Sequence, residues 1–311
     1  MDPRATVRLG RTDLHVTRLG LGSAPLGMLF QPVEEEAALA VVERALELGV
    51  RLFDTAPLYG SGLAERRFGR VLAGRPRESL VLATKVGRLI RGGEPVFDFS
   101  YEGVQRSLAE SLERLRLDRV EILHIHDPDD QFDEALSGAY RALAELREEG
   151  VIAAVGAGMN QAPMLARFAR EGDFDCFLLA GRYTLLDQSG LEELLPLCQS
   201  KDIAVIIGGV YNSGLLADPK PGAPYDYRPA PAAVVKKARS LAAVCERHGV
   251  PLKAAAIQFP FGHPAVTTVL AGSRSVPELD ENARLLEWPI PAALWAELKA
   301  EHLLDVAVPT P

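Results

Sequence analysis

Short apolar runs alternate with longer segments of helical period along most of the chain. The stretch Arg51-Leu-Phe-Asp-Thr-Ala-Pro-Leu-Tyr-Gly60 shows the strand half of that rhythm. Residues 50–53 lie between Gly49 on one side and Pro57 and Gly60 on the other, and read as a buried strand. Similar runs at 80–85, 120–125, 151–156, 175–179, 203–207 and 266–270 predict further strands. Leu19-Gly-Leu-Gly-Ser-Ala-Pro25 predicts a first one, running into a glycine-rich turn. Between them the helical period marks 33–48, 62–73, 101–115, 132–148, 161–170, 190–199, 232–248, 252–259, 275–286 and 292–303. Glu34, Glu35 and Glu36 suit the start of the first helix, Gly49 and Gly74 close two helices, and Ser100 stands at an N-cap position. Residues 7–10 and 14–16 read as a small hairpin, while 86–99 and 208–231 carry no period and read as loops.

The alternation amounts to about eight β–α units and so predicts a parallel sheet. A closed barrel and a doubly wound open sheet both place ligands at the carboxyl ends of strands. The dinucleotide fingerprint separates them. Gly20-Leu-Gly22-Ser-Ala-Pro25 and Gly156-Ala-Gly158-Met-Asn-Gln161 both lack the third glycine of G-x-G-x-x-G. The pattern therefore predicts an α/β fold, a (β/α)8 TIM barrel with an N-terminal β-hairpin and extra C-terminal helices, as one domain over 1–311.

Three successive strand ends carry Asp54, Lys85 and His126, and Tyr59 follows the first of them on a proline-containing turn. Closing a barrel brings these ends onto one rim. A carboxylate at the end of a buried strand calls for a cation, and Lys85 supplies one. An ammonium beside a phenol favours the phenolate, so Lys85 is expected to lower the Tyr59 pKa from its usual value of about 10. Asp54 would hold Lys85 charged, and His126 would orient a substrate oxygen. Such parts suit proton transfer at a carbonyl or alcohol oxygen while hydride moves at the adjacent carbon. His124 shares a strand face with His126, but no third ligand stands nearby, so it reads as a satisfied histidine of the barrel interior and no metal is expected.

Composition narrows the partners. A formal net charge of −8 and a pI near 5.4 argue against nucleic acid and anionic membranes. Cys176, Cys198 and Cys245 have neither metal nor disulfide spacing and read as buried thiols. The N-terminal residues lack the apolar core of a signal peptide and no run approaches a membrane span, so a cytoplasmic protein is expected.

The motifs Phe53-Asp-Thr-Ala-Pro-Leu-Tyr-Gly60, Ala83-Thr-Lys85, Ile125-His126-Asp-Pro128, Ala154-Val-Gly156 and Pro277-Glu-Leu-Asp-Glu-Asn282 resemble those of the aldo-keto reductases, over essentially the full chain. Gly181-Arg-Tyr-Thr-Leu-Leu-Asp-Gln188 and Tyr211-Asn-Ser-Gly-Leu-Leu216 are similar to the branch that oxidises free aldoses at C1, which includes L-fucose, D-threo-aldose and L-galactose dehydrogenases. The resemblance implies a catalytic tetrad of Asp54, Tyr59, Lys85 and His126, with a nicotinamide cofactor, NAD or NADP, extended across the barrel mouth. The cofactor contacts it implies are Gly22, Ser23, Ala24 and Asp54 near the nicotinamide ribose, Asn160 at the carboxamide, and Ser213, Gly214 and Leu215. Gly272, Ser273, Arg274, Glu278, Glu281 and Asn282 match the adenosine end. Ala180 stands where many members carry glutamine, and Gly208 where many carry an aromatic. The NADP-selective arginine of the family falls at Glu278, whose charge would repel a 2′-phosphate, so NAD is favoured. The expected reaction is oxidation of a free aldose to its lactone with Tyr59 as general base. The alternatives are NADPH-dependent reduction of aldehydes or ketones, and a nicotinamide-binding regulatory subunit.

Overall fold

The structure, a computed structural model, describes residues 1–29 and 31–311. Eight parallel strands close into a barrel: β1 (Leu19–Gly22), β2 (Leu52–Asp54), β3 (Val81–Val86), β4 (Ile122–His126), β5 (Ala154–Met159), β6 (Cys176–Ala180), β7 (Ala204–Gly208) and β8 (Val266–Gly272). The cylinder shuts where Val269 of β8 pairs with Leu19 and Gly272 with Gly22. Alternate strand residues face opposite ways, which splits the apolar side chains into two cores. Phe53, Leu82, Leu123, Val155, Phe177 and Val205 face outward and pack under the surrounding helices. Leu52, Val81, Ile122, Ala154, Cys176 and Ile206 face inward and fill the barrel.

The N-terminal hairpin, Thr6–Arg8 paired with His15–Thr17, stops the lower end of the cylinder with Leu9 and Val16, both fully buried in the inner core. Charges around this plug are paired. Arg8 meets Asp202 at 3.0 Å, Arg11 meets Asp173 at 2.5 Å and Asp175 at 3.1 Å, and Arg147 meets Asp175 at 2.7 Å.

Most predicted elements form close to their expected bounds, and Ser100 does cap the helix Tyr101–Leu115, its Oγ accepting from the Gly103 N–H at 3.0 Å. Four differ. β5 starts three residues late, at Ala154 rather than 151, because the N–H groups of Val151 and Ile152 still bond to Leu146 O and finish the preceding helix. The helix expected at 132–148 holds a π-helical stretch, Ala135–Tyr140, where Gly138 lies against the Phe99 backbone. The segment 86–99 is a hairpin, Arg88–Arg91 with Glu94–Phe97, and 208–231 contains another, Pro224–Tyr225 with Arg228–Pro229. Among the described residues, no helix is long and apolar enough to cross a membrane.

Candidate active site

β2, β3 and β4 deliver Asp54, Lys85 and His126 to the upper rim, all three buried. Lys85 Nζ donates to Asp54 Oδ1 at 2.6 Å and to the Thr55 carbonyl at 2.8 Å. It also lies 5.1 Å from the centre of the Tyr59 ring, and the Tyr59 and His126 rings meet edge to face at 5.8 Å. The four residues read from the strand ends therefore do converge. Small residues make the room: a Cβ on Gly156 of β5 would sit 2.2 Å from His124 Nδ1, and one on Gly27 only 2.7 Å from the Tyr59 backbone. Glycine at 27 lets the turn after β1 brace the Tyr59 loop.

The electrostatics correct one expectation. The Tyr59 phenol does not lie below its ordinary value. Burial, then the carboxylates of Asp54 and Asp127, push it well above its ordinary value, and Arg88 is the cation that opposes them. Burial is the larger cause, and the Lys85 ammonium faces Asp54 at 2.6 Å. Burial also raises the Asp54 carboxyl, with the charge and hydrogen bond of Lys85 opposing it. His126 is held well below the usual imidazole range by burial and then by Lys85 and Arg88, so it is neutral. A second correction concerns His124. It lies in the barrel interior as expected, but neither ring nitrogen has a hydrogen-bond partner, and burial with the Lys85 charge takes it down to about 3.

Asp54 and Tyr59 line one end of a cleft of about 600 Å³ that runs across the mouth. Gly22, Ala24, Asn160, Ser213 and Gly214 line it too; Gly272 stands beside Gly22, itself beside Asp54, in the strand register, and Arg274, Glu278, Glu281 and Asn282 follow β8 along the same cleft. Ser23 and Ser273 are fully buried beneath it, and Leu215 points into the core between barrel and helices. Ala180 and Gly208, register partners on β6 and β7, leave the floor low. At the far end Arg274 Nη2 donates to Glu278 Oε1 at 2.7 Å and Nη1 to Gln31 Oε1 at 2.8 Å. Burial pushes the Glu278 carboxyl up, but its bonds from Arg274 outweigh that and hold it below the usual range. Lys253 pairs with Glu281, and Tyr211 Oη donates to Asn282 Oδ1 at 2.7 Å. Among the described residues, no three metal-ligating side chains gather.

Sequence reasoning passed over an outer ring of charge. Arg88 pairs with Asp127, and Arg182 grips Asp226 through two bonds of 3.0 and 2.9 Å. Gly92-Gly93 between two alternating runs was the available signal for the first hairpin, which carries Arg88. Asp226 had none, because flanking prolines hide its turn.

The family model described as Aldo/keto reductase family matches residues 18–301. A D-threo-aldose 1-dehydrogenase of Pseudomonas sp is 40% identical over 96% of both chains. A pyridoxal 4-dehydrogenase of Microbacterium luteolum is 41% identical over 96% of this chain and 97% of its own. Among solved structures, the holo form of an aldo-keto reductase from Bacillus halodurans superposes with a TM-score of 0.80 at 30% identity, covering 98% of each chain.

Proposed function

The chain belongs to the aldo/keto reductase family and is an NAD(P)-dependent oxidoreductase; from that premise we propose that it oxidises a free aldose at C1 to the lactone. The observation that carries the reading is a phenol and a carboxylate lining one cleft, with an ammonium locked 2.6 Å from that carboxylate. The relative named for aldose oxidation at C1, similar across nearly its whole length, supports the substrate class.

The cleft suits an extended dinucleotide. Asp54 Oδ2 and Asn212 Oδ1 are buried acceptors without a protein partner, and both residues line it. Buried acceptors are almost always bonded, so these two call for donors from a ligand. Backbone forms much of the wall: a Cβ on Gly22 would meet nothing nearer than Leu270 at 3.7 Å, and one on Gly214 nothing within 4 Å. Gly22, Ala24 and Asn160 would hold the reacting end, Ser213 and Gly214 the middle, and Gly272, Arg274, Glu281 and Asn282 the adenosine end. Ser23, Leu215 and Ser273 act from beneath by setting the backbone. When bound, the nicotinamide accepts the hydride leaving C1. Glu278 already occupies Arg274 and repels a 2′-phosphate, which favours NAD over NADP.

The chain's own part is the proton. Tyr59 Oη takes it from the anomeric hydroxyl, Lys85 and Asp54 fix the charge behind the phenol, and neutral His126 orients the substrate oxygen by donating an N–H. A phenol held above its ordinary value keeps its proton at neutral pH, so oxidation speeds up as pH rises. The same protonated phenol is a ready donor to a carbonyl, and this favours a second reading, reduction of an aldehyde or ketone with NADPH.

Tyr59→Phe is expected to lower turnover by about 10³-fold while NADH still binds, read by initial rates and fluorescence titration. Unchanged turnover removes the role given to Tyr59. Rates with L-fucose, D-arabinose, L-galactose, L-xylose and pyridoxal, using NAD or NADP, against aldehydes with NADPH, separate the two readings.

A further inference from the structure

The most unusual backbone at the mouth lies in the hairpin where Tyr225 pairs with Arg228. Asp226 and Tyr227 make its two-residue turn, with φ of 49° and 62°. Turns with both central residues in the left-handed region favour Asn or Asp first and Gly second. A β-carbon there crowds the next carbonyl, so the tyrosine is held against its own preference. What holds it is visible. Arg182 donates from Nη1 and Nη2 to the two Asp226 oxygens at 3.0 and 2.9 Å, and the Tyr227 N–H donates to Ser213 Oγ at 3.4 Å. Strain fixed by a forked ion pair, where glycine would relieve it, marks a position kept for its side chain.

That side chain is 66% exposed, yet it lines the same cleft as Asp54 and Tyr59. Its phenol lies in the fields of Asp127 and Arg88, which follow β4 and β3, as well as those of Asp226 and Arg182. The hairpin, which follows β7, thus carries an aromatic ring to the same cleft that Asp54 and Tyr59 line from the β2 side.

We propose that Tyr227 is a specificity-determining residue whose ring packs on the ring face of the substrate above Tyr59. The kind of substrate rests on the aldose reading: a sugar ring offers C–H groups to an aromatic face and hydroxyls to the Arg88–Asp127 and Arg182–Asp226 pairs at the rim. Covering that face also keeps water from the C1 hydroxyl while its proton moves.

The test compares the full-length wild type with Tyr227→Gly and Tyr227→Phe. Each is assayed at saturating cofactor with the substrate that the wild type turns over best among free aldoses, aldehydes and pyridoxal. NADH affinity is read by fluorescence titration, and Tm by thermal melting. In Tyr227→Gly the KM is expected to rise about tenfold while kcat stays within about threefold. NADH affinity should hold, and the melt should still show one cooperative transition above the assay temperature. Tyr227→Phe keeps the ring and should hold KM within about threefold of wild type. A best substrate that is an aldehyde would remove the C1-oxidation reading, while the same KM comparison still decides the role of Tyr227. An unchanged KM in Tyr227→Gly, or a rise matched by an equal loss of NADH affinity, overturns the proposal.

Discussion

The two ends of the barrel use the same residue types to opposite effect. At the lower end Asp175 is buried and fully engaged: it accepts from Arg11 at 3.1 Å, Arg147 at 2.7 Å and the Val155 N–H at 2.8 Å. At the mouth, Asp54 Oδ2, Ser23 Oγ, Thr55 Oγ1, His126 Nδ1 and Asn212 Oδ1 are buried without a partner. Left-handed backbone gathers there too, at Met28, Asp127, Asn212, Ser213, Asp226 and Tyr227. Arg51 Nε and Arg77 Nε and Nη1 lack a partner at the lower end too, but both guanidinium groups already hold an acceptor, whereas the mouth leaves bare acceptors on Asp54 and Asn212; in that sense the two ends divide stability from chemistry.

The largest effects should come from exchanging these conditions. Lys85→Met strands the Asp54 carboxylate in the barrel, and losing one partner of a buried pair costs about 3–5 kcal/mol. Turnover should fall by more than about 10³-fold, since the phenol loses the ion pair behind it. Asp175→Asn tests the other end. It should lose about 2–4 kcal/mol through the weakened Arg11 and Arg147 bonds, with kcat and KM within about twofold of wild type. Urea unfolding and initial rates on both variants decide the matter. A large kcat change in Asp175→Asn would break the division.

The N-terminal hairpin and the convergence at the rim were legible in the sequence, whereas the ion pairs of the lower end were not. The apolar runs mark where the strands end, and closing them into a barrel puts Asp54, Lys85 and His126 on one rim. What was not legible depends on matters that periodicity does not encode. The direction of the Tyr59 shift depends first on how deeply the phenol is buried and then on the Asp54 and Asp127 carboxylates around it, which no spacing records. The Arg182–Asp226 contact joins loops 44 residues apart, with no period in either. Leu215, read as a cofactor contact from its motif, has its side chain fully buried in the core between barrel and helices.

A smaller effect is expected at the far end of the cleft, where the open mouth keeps one pair closed. Glu278 binds Arg274 through its side chain at 2.7 Å and through the Arg274 N–H at 2.8 Å. Glu278→Gln removes the repulsion on a 2′-phosphate and frees the guanidinium to meet it. The ratio of kcat/KM for NADP to that for NAD should rise about tenfold, with the fold unchanged. A ratio that does not move would place the discrimination elsewhere.

The smallest effect at neutral pH belongs to His124, midway between the two ends. Its imidazole has no hydrogen-bond partner and titrates at about 3, against an ordinary value of 6.5, because of burial and then Lys85. Replacing it with leucine removes two unsatisfied nitrogens at similar volume, so stability at about pH 7 should change by less than about 1 kcal/mol. Acid magnifies the difference. The folded value lies below the unfolded one, so between about 6.5 and about 3 the unfolded chain binds a proton that the folded chain refuses. Wild type therefore loses about 1.4 kcal/mol per pH unit across that window through this group alone, whereas leucine loses none. His126 is depressed as well and is present in both proteins; His124 is the last of the causes that depress it, so the leucine variant relieves that part too. Urea unfolding at about pH 7 and about pH 5 should show the two nearly equal at the first and His124→Leu clearly more stable at the second. A gap that fails to open on acidification would mean that the histidine is protonated inside the barrel, and that its layer, like the lower end, supplies it with a partner.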